Sequence, residues 1–235
     1  MAATAVPIRH RQGQGGPPLV GLAVVSTVLF LAGLIVSTAI AGRTYPSPFA
    51  SASSIVEYFR AHRDAVRVGA FFQFVSAVPL LIYAATASAR LRNLGIRAPG
   101  ATIALAGGVA SAAFLSLSAL TSWTLSQAAV TTVNPVVRAL HGLAFATGGP
   151  GFAVPFGLLI AGMAVPAAFG RLLPNWLWTA GLAIALVAEL STLALLLDGA
   201  AFLLPIARFG GLLWLVVAGA LLPARRVATA LDLAA

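Results

Sequence analysis

Few side chains in this sequence can do acid–base, metal or ionic chemistry. There are 14 basic and 5 acidic residues and 3 histidines, and every basic Lys-or-Arg position is arginine. Cysteine is absent, which removes thiolate nucleophiles, thiolate metal sites and disulfides. The hard-metal or general acid–base set that this composition permits is His62, His141 and Glu189. Their separations match no ligand or catalytic spacing such as HExxH, so no catalytic and no metal-ligating residue is assigned. There is no glycine-rich phosphate loop running into Lys-Ser or Lys-Thr. Nor do two histidines fall mid-span, as a bis-histidine haem within a membrane requires. A single axial histidine leaves the cofactor question open.

Charge is crowded into one place, "EYFRAHRDAVRVGAFFQF" at 57–74. On a helix Glu57, Arg60, Asp64 and Arg67 advance by three, four and three residues and share one face. Glu57 then pairs with Arg60, and Asp64 with Arg60 or Arg67. Ser53 or Ser54 is the expected cap, with one helix running from Ile55 into the apolar segment beyond. This face reads either as an interfacial collar of ion pairs, as the rim of a pocket, or as a docking surface for another protein.

Glu189 is the sharpest single residue, deep within "ALVAELSTLALLL". An unpaired carboxylate at such a depth is expensive. Glu189 lies nine residues before Asp198, and Arg208 nine after Gly199. In a tight hairpin the two come level, roughly 13 Å below the turn at 1.5 Å per residue. The expectation is an interhelical Glu189–Arg208 pair, either structural or part of a ligand, proton or ion site. Arg138 and His141, three residues apart, share a helix face at the level of the 57–67 cluster. Ser111, Ser118, Ser122 and Gln127 fall roughly on one side of "SAAFLSLSALTSWTLSQ", and Gln73 is a further lining candidate. "ATGGPGFAVPFG" is a poor continuous helix, because proline deletes a backbone donor and glycine adds conformational freedom. It predicts a kink, or a break of the kind that frees backbone groups at transporter sites.

The elements that must position these residues follow from composition. The chain is 60% hydrophobic and 8% charged, against roughly 25% charged in soluble domains. Several apolar runs reach the roughly 20 residues a membrane helix needs. The fold class expected is all-α, a polytopic transmembrane bundle of about six spans. These start near Leu19, Ala65, Ala101, Asn134, Asn175 and Ala201. The domain plan is a tail at 1–18, a transmembrane domain at 19–223 and a tail at 224–235. The first apolar run, after Arg9 and Arg11, is longer than a signal-peptide core and is expected to stay as a span. Arg9, Arg11, Arg90, Arg92, Arg97, Arg171, Arg225 and Arg226 share one side, with Asp232 as its acid. The positive-inside rule makes that side, with both termini, cytoplasmic. The formal charge of +9 is spread over span ends and implies no nucleic-acid partner.

"YFRAHRDAVRVGAFFQFVSAVPLLIYAATASARLR", with the serine-rich third span and the lone Glu of the fifth, resembles an uncharacterised family of small actinobacterial multi-pass membrane proteins. The resemblance is strongest at Arg63, Asp64, Gly69, Phe72, Gln73 and Pro79. It implies topology and no catalytic residues.

The function expected is binding of a small molecule or lipid in an outward-facing polar pocket of a cell-membrane protein. Its ligand set is Glu57, Arg60, His62, Asp64, Arg67, Gln73, Arg138, His141, Glu189 and Arg208. In a transporter version Glu189 titrates. The alternatives are an accessory subunit docked to another membrane protein or to its own copies, and an intramembrane enzyme. The bilayer itself is the one partner every version shares.

Overall fold

The computed structural model describes residues 16–224. Its elements are α1 (Leu19–Ala41), α2 (Ala52–Ala61), α3 (Arg63–Asn93), α4 (Gly100–Leu125), α5 (Ala128–Thr131), α6 (Asn134–Gly148), α7 (Pro150–Phe169), α8 (Asn175–Leu190) and α9 (Leu203–Leu221). Two 3-10 segments, Ser191–Leu195 and Asp198–Phe202, link α8 to α9. No strand occurs among the described residues. Six segments are long and apolar enough to cross a membrane: α1, α3, α4, α6 with α7, α8 with its 3-10 extension, and α9 with the turn before it. The chain is an all-α multi-pass membrane protein.

The spans pack in chain order into a closed ring. α1 meets α3, α3 meets α4, α4 meets α7, α7 meets α8, α8 meets α9, and α9 returns to α1. Small residues let the backbones approach, as is usual where helices pack in lipid. At Gly107 of α4 an added Cβ would stand 2.6 Å from the Pro155 carbonyl oxygen of α7. Polar side chains inside the ring are tied to carbonyls of other spans, Tyr83 reaching across from α3 to α9. Tyr83 donates to Leu215 at 3.1 Å, Ser26 to Ser76 at 2.8 Å, and Trp214 to Leu177 at 2.7 Å.

Arg90 donates to the Leu222 carbonyl at 3.4 Å, and Leu19 packs beside Gly219. The start of α1 and the end of α9 therefore share the end of the bundle that carries Arg90, Arg92 and Arg97. An even number of spans requires this. The opposite end, expected outside from the arginine distribution, is termed the outer end. Arg9, Arg11, Arg225, Arg226 and Asp232, with most of both tails, lie outside the described residues.

Two local features differ from expectation. The helix does not run unbroken from Ile55 into the second span: it breaks at His62, where φ is −120° and ψ is 38°. Its cap is Ser51, whose hydroxyl accepts from the Ser54 amide at 3.3 Å, ahead of the serines expected there. The break turns α2 so that Ile55, Val56, Tyr58 and Phe59 are buried together. That burial favours an amphipathic α2 lying across the bundle end over a straight continuation. The fifth span, expected as one helix from Asn175, also gives up α-helical geometry at Leu190 and continues as a 3-10 segment. The fourth span breaks as "GGPG" predicts, between Gly148 and Pro150, with Gly149 at φ −87° and ψ −106°.

Candidate ligand pocket at the outer end

At the outer end the ring encloses a cavity of about 400 Å³. Five spans and the loop after α1 contribute to it. Its mouth is aromatic. Tyr45, placed by the loop that follows the left-handed Gly42 (φ 66°), packs its ring 5.4 Å from Phe59, 5.6 Å from His141 and 5.8 Å from Tyr58. Tyr45 as a whole is 41% exposed, but desolvation of its phenol by the groups packed around it raises the pKa above its ordinary value, against a smaller opposing effect from the Ser122 hydroxyl. Burial also raises that of Tyr58, opposed by Arg43, whose guanidinium stands 5.9 Å over the ring. Both hydroxyls therefore stay neutral and able to donate.

The middle of the wall is uncharged and polar. Ser118 on α4 donates to the Ala144 carbonyl at 2.9 Å, and Gln73 on α3 to the Leu115 carbonyl at 3.4 Å. These bonds hold α3, α4 and α6 around the space that the two side chains line.

Arg208 forms the floor. It donates from Nη2 to the Gly148 carbonyl, the last residue of α6 before the break. Its guanidinium carbon lies 4.8 Å from the Phe152 ring centre and 5.2 Å from that of Phe30. Rings on two sides and a backbone dipole solvate the cation in part. A guanidinium carries five N–H donors, and Gly148 occupies one. Among the described residues, no other Arg, Asp or Glu side chain lines the cavity.

Comparison with protein-family models, with curated proteins and with solved structures returns no match. What the pocket is for must be argued from its own chemistry.

The candidate residues are distributed over four places. Gln73, His141 and Arg208 line the cavity. Glu57, Arg60 and Arg138 line a separate, open depression on the outer surface between α2 and α6. Arg60 does not pair with Glu57 there. It donates to the Thr131 carbonyl at 2.9 Å and to Asn134 Oδ1 at 2.8 Å, fastening α2 to the loop before α6. His62 sits at the α2–α3 break with its ring 5.0 Å from Tyr58, and Asp64 and Arg67 form an exposed ion pair at 3.7 Å. It is the only ion pair among the described residues.

Glu189 does not meet Arg208. It is exposed on the outer side of α8, between the exposed Leu186 and Leu190. The tight-hairpin argument brought the two residues level but left their rotation about the helix axes undetermined. Arg208 turns toward α6 and α7 instead. No group of three His, Asp or Glu side chains among the described residues is placed to hold a metal ion.

Tyr45, the Gly148 carbonyl, and the Phe30 and Phe152 rings were not singled out as site groups. The one sequence signal for Tyr45 was a tyrosine in "RTYPSP", outside any span. The only signal for Gly148 was the predicted break.

Proposed function

We propose that this protein binds a small molecule or lipid in the outer-end pocket, and that it does so in the cell membrane. The observation that carries this reading is Arg208: a cation inside a membrane bundle, with no acid beside it among the described residues, forming the floor of a 400 Å³ cavity. Charge at such depth is expensive and characteristically faces a cavity or a functional path. Ligand pockets are concave, mostly apolar, and fitted with a few converging polar groups. The ring of Tyr45, Tyr58 and His141 above Gln73 and Ser118 has that character.

Coupled transport with Glu189 as the titrating group draws less support, because Glu189 faces away from the cavity. The same exposure favours a second reading. A carboxylate among leucines on the outside of α8 suits contact with a partner membrane protein or another copy, as an accessory subunit would make.

Native mass spectrometry of protein extracted gently from its own membrane tests both. The pocket reading expects a specific small molecule or lipid that is lost from Arg208→Ala while the fold survives. A stoichiometric protein partner with no retained small molecule, lost on Glu189→Gln, would replace it with the accessory reading.

A further inference from the structure

The shape and lining of the pocket say more about its occupant. We infer that it takes an anionic amphiphile, whose carboxylate or phosphate head sits at Arg208 and whose hydrocarbon chain leaves sideways between α1 and α9 into the bilayer. This rests on the pocket reading above and names the ligand class.

The head-group assignment follows from charge balance at the floor. Arg208 is the cavity's only arginine, no acid lines the space, and a single backbone carbonyl takes one of its donors. The Phe30 and Phe152 rings near the guanidinium accept no conventional hydrogen bond from it, so its remaining N–H donors have bonding capacity to spare. The guanidinium is a planar fork matched to the paired oxygens of a carboxylate or phosphate. A cationic head would meet like charge. A neutral one would leave the arginine's charge uncompensated.

The chain assignment follows from the wall. Leu34 of α1 and Phe209 of α9 both line the cavity, yet 46% and 42% of their surface remains exposed. Pro205 is a cavity-lining residue that is likewise exposed. Lining residues left so exposed mark a place where the cavity wall is open. It lies where α1 and α9 meet, a seam with no loop joining the two. Phe30 and Phe209, with ring centres 6.3 Å apart, close it below. The side chains of Leu34, Pro205 and Phe209 at the opening are apolar, as a hydrocarbon chain passing into lipid requires. The two phenols and the imidazole are gathered at the mouth.

The test is a binding titration of the purified full chain in a neutral maltoside detergent. The probes are dodecyl phosphate, dodecyltrimethylammonium and inorganic phosphate, and complexes are counted by native mass spectrometry. Dodecyl phosphate should bind one per chain, about tenfold or more tighter than the cationic analogue, the scale of one charge-assisted hydrogen bond. Arg208→Gln should remove that preference, and Arg208→Lys should keep part of it. Leu34→Trp, which fills the side opening from the lipid face, should weaken dodecyl phosphate without creating any preference for the cation. If Arg208→Gln does not fold, Arg208→Lys and Leu34→Trp carry the test.

Equal binding of the phosphate and ammonium amphiphiles would overturn the anionic assignment and leave the pocket reading standing. Displacement of dodecyl phosphate by equimolar inorganic phosphate, together with indifference to Leu34→Trp, would show that a free anion is recognised and overturn the amphiphile assignment. Failure of every amphiphile would overturn the inference outright. The pocket reading would then be judged separately, by what co-purifies from the native membrane.

Discussion

The Arg208 guanidinium is bonded to the carbonyl of Gly148, so the one arginine in the cavity is fastened to the point where the fourth span breaks. The two features explain one another. A continuous helix would commit its carbonyls to its own amides, whereas a break with proline beyond it disturbs that ladder and presents backbone oxygen sideways. Conversely, an arginine at this depth needs an acceptor, and the interrupted α6–α7 span provides one.

Removing the arginine should therefore separate stability from binding. Arg208→Met keeps much of the side-chain volume but loses the bond to Gly148 and the stacking on Phe30 and Phe152. Losing a hydrogen bond from a charged donor costs about 1.5–3 kcal/mol, and relief from burying the charge offsets it. Thermal unfolding in detergent should shift little, by about 1 kcal/mol or less, while ligand retention falls by about tenfold or more. A loss of fold would make the arginine structural.

The break itself is tested at Gly149. A Cβ there would stand 2.7 Å from the Phe145 carbonyl oxygen and 3.2 Å from Leu204. Gly149→Ala must displace backbone, and should lower stability by about 1–3 kcal/mol and loosen the pocket with it. Gly142→Ala on the same helix, where an added Cβ meets nothing within 4 Å, is the control and should leave both unchanged.

Glu189 offers a test of where its side chain points. A hydrophobic carbodiimide, delivered through the lipid phase, should label Glu189 of the intact protein. Glu189→Gln should abolish the label and leave dodecyl phosphate binding unaltered. Protection of Glu189, or loss of binding in the variant, would return the carboxylate to the interior beside Arg208.

Tyr45 should register in the pH dependence of stability. Its phenol pKa is raised on folding from an ordinary 10.0, so the folded form holds its proton where the unfolded chain has released it. Stability from this group is complete below about pH 10 and declines as pH climbs from there toward the raised value. The Tyr45→Phe variant should lose less stability than the parent between pH 9 and pH 11, measured by thermal unfolding.

The interior of the ring makes a simpler prediction. Tyr83→Phe leaves the buried Leu215 carbonyl without its side-chain donor and should cost about 1 kcal/mol, with no effect on the pocket at the other end.

The spans and their order were legible because each apolar run is long and polar residues bound it, and α1 begins at Leu19 as expected. The interruption at "GGPG" was legible for the same local reason: glycine and proline act on the residues beside them. What was not legible was rotation. Counting from the turn brought Glu189 and Arg208 to one depth, but which way each side chain faces depends on how α8 and α9 settle against α7. The helix expected across His62 failed similarly. Its charge spacing describes one continuous face, but burial of Tyr58 and Phe59 against Val137 and Leu125 outweighs that pattern and tilts α2 away from α3. Tyr45 was invisible as a site residue because a loop has no periodicity from which to read direction.

The closed ring has a consequence for how the molecule is made. Among the described spans α1 is made well before α9, and one of its flanks stays uncovered until α9 arrives to seal it. Arg208 travels in α9, so Phe30, Gly148 and Phe152 are all made before the charge they receive. Insertion of an arginine-bearing segment is unfavourable on its own. The earlier helices present it with two ring faces and a carbonyl already in position. The docking of α9 and the creation of the cavity floor are thus one event.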